Sequence, residues 1–214
     1  MGQPRPAPYV VASWLSKQIA GEDSCRWKLW FKAHNKFEKV PGDFKLAKWT
    51  VDHTEMLSAR ADELRSQGYD VYVEGQNDFK LNGKNGATLS GKADIVAIRE
   101  DDACVVDCKT GGDKNSDKIQ VLLYMLALPI KTPHCRGRSL RGEVQYQEGV
   151  VHIPPEAVDS QLKERLRRFM DIAAASEAPL KVPSYAECNF CGLTASDCPE
   201  RLTEPPEAAP TDLF

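Results

Sequence analysis

The 214-residue chain lacks any apolar run long enough to span a bilayer. Its first stretch, MGQPRPAPYV, holds no apolar signal segment, so the sequence predicts a cytoplasmic protein without membrane partners. It has no internal repeat, which argues against a repeat architecture. No G-x-x-x-x-G-K-[ST] stretch occurs, so the chain carries no phosphate-cradling P-loop and acts alone or with separate partners. Strong net charge is missing as well: −3 at pH 7 neither demands nor excludes a polyanion partner. An even set of cysteines is missing too. Seven, in a chain read as unsecreted, argue against a disulfide framework.

What is there is unevenly distributed. Arg26, Lys28, Lys32, Lys36, Lys39, Lys45 and Lys48 face only Glu38 and Asp43, whereas Glu204, Glu207 and Asp212 crowd the end. A basic stretch beside an acidic tail fits a polyanion, and fits a solvated helix surface equally well. With 42 % hydrophobic and 28 % charged residues, the composition is that of a globular protein with a real core.

Order along the chain predicts an α/β fold on a mixed sheet. Residues 1–8 are Pro-rich and read as a loose N-terminus. Residues 9–68 read as a helical region containing Cys25 and His53. Its last helix starts at an Asp43 N-cap, closes at Gly68, and places Trp49, His53, Leu57 and Leu64 on one inward face. Residues 69–178 read as the core. There "YDVYVEG", "ATLSGKADIVAI" and "ACVVDCK" are strands, the last two joined by a hairpin across "REDD". "SDKIQVLLYMLAL" is an apolar helix ended by Pro129, and "GEVQYQEGVVHIP" is a strand or strand pair. An amphipathic helix follows, with Val158, Leu162, Leu166, Phe169 and Ile172 on one face. Residues 179–201 hold a cysteine segment, and 202–214 read as a disordered acidic tail.

Carboxylates and a lysine inside apolar strands are costly unless paired. Strand side chains alternate, so Val105, Asp107 and Lys109 share one face while Cys104, Val106 and Cys108 share the other, which would pack on the helix layer. Asp94 can reach the first surface across the hairpin. Two carboxylates and the Cys108 backbone carbonyl are hard oxygen ligands suited to Mg²⁺ or Mn²⁺. Lys109 beside them can position or help deprotonate a water and offset phosphate charge. For the bare tripeptide, a structural Asp–Lys ion pair at a strand end is the better reading.

The motif order decides more. "GKAD" (Gly91 to Asp94), "DCK" (Asp107 to Lys109) and "QVLLY" (Gln120 to Tyr124) resemble the G-x-x-D, D/E-x-K and Q-x-x-x-Y of the PD-(D/E)XK nuclease superfamily in its RecB-like branch. The resemblance runs from about residue 13 to residue 200. It implies a restriction-endonuclease-like core over 69–178 and a metal-dependent nuclease on single-stranded DNA or DNA ends. His53 in "VDHTEML" is similar to the family's upstream metal ligand, and Glu74 in "VYVEG" to its first-strand glutamate. Gln120 and Tyr124, four apart on one helical face, resemble residues that orient the lysine or touch the strand. Arg26, Lys28, Lys32 and Lys36 would track the DNA backbone, and Trp27, Trp30, Phe31 or Trp49 could stack bases, although core packing suits most of them.

Cys188 and Cys191 form a C-x-x-C, Cys198 follows after a short loop, and Cys25 stands near the other end of the chain. Four such thiolates suit a tetrahedral Zn²⁺ or a 4Fe–4S cluster. The RecB-like resemblance favours the cluster, because an iron–sulfur subgroup of that branch places one cysteine before the nuclease motifs and three after. Such a cluster would tie the two ends of the chain together. The resemblance implies DNA as partner, and recombination, repair or CRISPR-adaptation proteins beside it. "TDLF" at the end could dock on a partner's apolar groove, or be a plain disordered terminus.

Overall fold

The computed structural model describes residues 2–38, 40 and 46–205. The Asp43 N-cap and the "TDLF" ending lie outside the described residues. In chain order the elements are β1 (Gln3–Pro4), β2 (Tyr9–Val11), α1 (Ala12–Ala20), α2 (Arg26–His34), β3 (Asn35–Lys36), α3 (Leu46–Ser66) and β4 (Asp70–Val73). They continue with β5 (Asp78–Asn82), β6 (Thr88–Lys92), β7 (Ile95–Arg99), β8 (Asp102–Lys109), α4 (Asn115–Lys131), β9 (Arg141–Tyr146), β10 (Gly149–Ile153), α5 (Ser160–Ala174) and α6 (Tyr185–Asn189).

The central sheet is mixed, in the order β10-β9-β8-β7-β4. β8 runs parallel to β9 and antiparallel to β7, and the remaining pairs are antiparallel. A smaller sheet, β2-β6-β5, lies beside it. The stretch "ATLSGKADIVAI" is therefore not one strand. It breaks after Lys92 and feeds β6 and β7 into different sheets, leaving Ala93 and Asp94 at the junction.

Both faces of the central sheet are covered, which is why β7 and β8 read as nearly continuous apolar runs. Val96, Ile98 and Val105 join the larger core with Val121, Leu123, Leu128 and Leu15. Cys104, Val106 and Cys108 pack on the other side against Ala61 and Leu64 of α3. The Asp107 face is thus buried beneath α4, where alternation alone leaves it open. Helix α4 continues through Pro129 to Lys131. A proline in the last turn forfeits one backbone donor, and the helix keeps going where Met125, Ala127 and Leu128 of the turn before it are buried. Residues 3–4, predicted loose, pair with β3, and the Gly2 amide donates to Asp197 Oδ1 at 2.7 Å.

A second core device is ionic. Glu143, 1 % exposed on β9, accepts from Arg60 Nη2 at 2.6 Å and from Arg141, which also reaches Asp102 at 3.0 Å. Burial pushes Glu143 up, and the two guanidinium groups more than offset it and hold its pKa below the ordinary glutamate value. No helix among the described residues is long and apolar enough to cross a membrane.

Candidate active site

The break between β6 and β7, the end of β8, the start of α4 and one face of α3 converge on an open cavity of about 500 Å³. His53, Asp94, Asp107, Cys108, Lys109 and Gln120 all line it. The β7–β8 hairpin carries Asp94, Asp107 and Lys109 to this cavity, and α4 adds Gln120.

Asp94 Oδ2 accepts from the Cys108 amide at 2.7 Å and lies 3.3 Å from His53 Nε2. Hydrogen bonding to Asp94 raises the His53 pKa above the ordinary histidine value against the pull of burial. Trp49 stacks on the His53 ring, with centroids 4.9 Å apart. Trp49 itself is 38 % exposed, so it does not share the inward role of Leu64. Of Trp27, Trp30, Phe31 and Trp49, it is the one that lines the cavity. Trp27 is buried against Phe31, and Trp30 donates to the Ala175 carbonyl at 2.7 Å, so these three are packing residues.

Asp107 is 2 % exposed. Its Oδ2 sits 2.7 Å from Lys109 Nζ yet has no partner in hydrogen-bond geometry. Burial pushes its carboxyl up to about 6, even with the Lys109 ammonium pulling it down. Burial pulls Lys109 down in turn, and Asp107, Asp117 and Asp94 more than compensate, so its pKa lies above the ordinary lysine value. Lys109 is an ammonium here. Gln120 ties the pair together: its Nε2 donates to Asp107 Oδ1 at 3.3 Å and Tyr124 Oη at 2.7 Å, while its Oε1 accepts from Lys109 at 3.5 Å.

Gly91 has a steric reason. A Cβ there would stand 2.6 Å from the Phe79 ring and 2.8 Å from the Tyr124 ring. The glycine lets Tyr124 lie against the β6 backbone and hold Gln120 in place. Glu74 stands just beyond the end of β4, not on the strand. Its φ of 39° is a strained, left-handed value for a non-glycine residue, and its carboxylate lies 3.6 Å from Lys92 on the cavity wall. Asp117 escapes a sequence reading, although it stands one turn before Gln120 on α4. It lies 3.9 Å from Lys109 and accepts from Tyr146 Oη at 3.2 Å.

Among the described residues no group of three or more His, Cys, Asp or Glu side chains stands at metal-holding separation. In the cavity the candidate ligands are turned onto protein partners, Asp94 to His53 and Asp107 to Lys109. The donor set still fits a hard divalent cation. Two carboxylates and an imidazole line one open space, and Asp107 Oδ2 is a buried oxygen without a hydrogen bond.

Cys25, Cys188, Cys191 and Cys198 line a separate cavity of about 20 Å³, all as free thiols. Sequence reading misses what joins them. The Glu187 carboxylate accepts from the Ser24 amide and hydroxyl and from the Cys25 amide at 3.2 Å, clamping the start of α2 to α6. Four thiols fit a soft ion. The four do not stand at metal-holding separation, so an ion or a cluster would need the thiols to move. The basic stretch departs from its predicted role. Arg26 and Lys36 are exposed, whereas Lys28 and Lys32 are 7 % and 8 % exposed and turn inward onto Asp23 and the Cys191 carbonyl, each at 2.7 Å.

Known proteins similar to the chain bear on its fold and family. The chain is similar over 94 % of its length, and 91 % of that chain, to the crystal structure of SSO0001, with a TM-score of 0.51 at 16 % identity, a likeness of fold alone. It is 30 % identical over 133 residues to transcription factor BYE1 of Debaryomyces hansenii; the match covers 58 % of this chain and 18 % of that protein, and carries no activity across. The family model of the PD-(D/E)XK nuclease superfamily matches residues 16–198, a span that contains every residue of the cavity described above. The chain belongs to the PD-(D/E)XK nuclease superfamily.

Proposed function

We propose that the chain is a metal-dependent deoxyribonuclease of the RecB-like branch, acting as an exonuclease on single-stranded DNA or DNA ends. One observation carries the reading: Asp94, Asp107 and Lys109 meet at one open cavity, with Gln120 bridging the acid and the amine. Asp94, Asp107, His53 and the Cys108 carbonyl would hold Mg²⁺ or Mn²⁺, with Glu74 at the margin. Such an ion supplies Lewis-acid activation of water and of the phosphodiester. With such an ion bound, Asp107 would hold Lys109 less tightly, and the Lys109 ammonium would orient water and offset charge on the phosphate. Gln120 and Tyr124 position that amine. Trp49, beside His53, offers a stacking face for a base.

The four cysteines would hold a structural 4Fe–4S cluster, with Zn²⁺ as the alternative. Protein purified without air is brown in the first case and colourless in the second. The iron–sulfur reading places the chain in recombination, repair or CRISPR adaptation, with protein partners from that process. Residues 9–68 and 179–201 then brace a nuclease core over 69–178.

Labelled single-stranded DNA incubated with Mn²⁺, and with EDTA, tests the activity. Cleavage is expected with the metal alone. Lys109→Ala is expected to abolish cleavage and keep binding. Cleavage that survives this substitution overturns the mechanism, and binding without any cleavage by the unaltered protein points instead to a non-catalytic DNA-binding module.

A further inference from the structure

Beside the cysteine segment lies another cavity, of about 300 Å³, which shares no lining residue with the active site. That volume suits a small ligand. Lys17, Lys28 and Lys32 line it against a single carboxylate, Asp23, a surplus of two positive charges. Lys28 and Lys32 are nearly buried, and among the described residues only Lys28 of the two has a carboxylate partner. The Lys32 ammonium sits over two rings, 5.9 Å from the centre of Trp14 and 5.4 Å from that of Phe37. Holding such charge out of water is costly unless an anion arrives.

Two further observations extend the chemistry past a bare anion. Gln18 is 4 % exposed; its Nε2 donates to the Cys25 carbonyl at 3.1 Å, and its Oε1 has no hydrogen-bond partner. A turn of the Gln18 side chain toward the cavity would let a ligand hydroxyl or amino group satisfy that oxygen. At the rim, Phe190 is 84 % exposed, an aromatic face left in water.

We propose that this cavity binds a nucleotide through its phosphomonoester. The dianionic phosphate meets the three lysines, and the base lies against Trp14 or Phe190. The same chemistry is offered by a free mononucleotide and by the phosphorylated end of a strand. Lys32 also donates to the Cys191 carbonyl, so a bound phosphate is linked directly to the cysteine segment.

Calorimetric titration of the protein as purified, without added divalent metal, reads binding with no cleavage. The ligands are dAMP, inorganic phosphate, deoxyadenosine, and one short oligonucleotide with a 5′-phosphate or a 5′-hydroxyl. We expect dAMP to bind more tightly than phosphate or deoxyadenosine. Lys17→Glu, at an exposed position, is expected to weaken dAMP at least fivefold, and Lys109→Ala to leave it unchanged. A preference for the phosphorylated oligonucleotide over its hydroxyl form identifies a strand end as the source; binding of dAMP alone identifies a free nucleotide. A Lys17→Glu effect below fivefold, or binding lost in Lys109→Ala, or no binding of either phosphomonoester, overturns the proposal. None of these outcomes depends on cleavage, so the nuclease reading stands or falls separately.

Discussion

Asp107→Asn separates stability from function. Asp107 is 2 % exposed, and its pKa rises from the ordinary carboxylate value of 3.8 to about 6. That shift is about two units, at roughly 1.4 kcal/mol each, so ionised Asp107 costs the metal-free fold on the order of 3 kcal/mol. The folded chain binds more protons at this site than the unfolded chain between the two values. Stability from this group is therefore full at lower pH and falls as pH rises from about 4 to about 6. Asparagine is nearly isosteric and does not ionise, so it removes the slope. Urea unfolding in EDTA, compared across that window, should show wild type losing about 2 kcal/mol relative to Asp107→Asn. Saturating Mg²⁺ should then restore about 2–3 kcal/mol to wild type at a hundredfold excess over Kd, and nothing to the variant. Cleavage should be lost in the variant throughout. A wild type that gains on the variant as pH rises, or Mg²⁺ that stabilises both equally, refutes the reasoning.

Gly91→Ala pushes a methyl group into the Phe79 and Tyr124 rings; thermal unfolding should show a loss of about 1–3 kcal/mol, and cleavage should fall because Tyr124 no longer holds Gln120. Arg60→Met strips one of two guanidinium partners from buried Glu143 and should cost about 3 kcal/mol at neutral pH by urea titration. Glu143 has a depressed pKa, so its stability is present above the unfolded value and lost as pH falls through the folded one; the variant should show a smaller acid-side loss than wild type. Glu187→Ala removes the clamp between Ser24, Cys25 and α6. If the four cysteines hold the proposed metal, losing a charge-assisted bond of about 1.5 kcal/mol should speed its loss to a chelator roughly tenfold, followed by absorbance or metal analysis.

The parts of this protein written in short-range geometry are legible from its sequence. Two-residue alternation puts Asp107 and Lys109 on one face of β8, and a four-residue helical step aligns Gln120 with Tyr124. The "REDD" turn folds β7 onto β8, with Arg99 opposite Asp102, and so sets Asp94 at the site. These follow from backbone repeat lengths that hold in any surroundings. Pairing across long stretches of chain is decided elsewhere. Only the fold splits residues 88–99 between two sheets, buries the Asp107 face under α4, carries α4 past Pro129, and turns Lys28 and Lys32 inward while Trp49 turns outward. Asp117 and Glu187 acquire their partners in the same way, from Lys109 on β8 and from Ser24 and Cys25 before α2. A side chain's exposure and charge depend on which distant segments pack against it. That packing is set by the burial energy of the whole core, which no local spacing encodes.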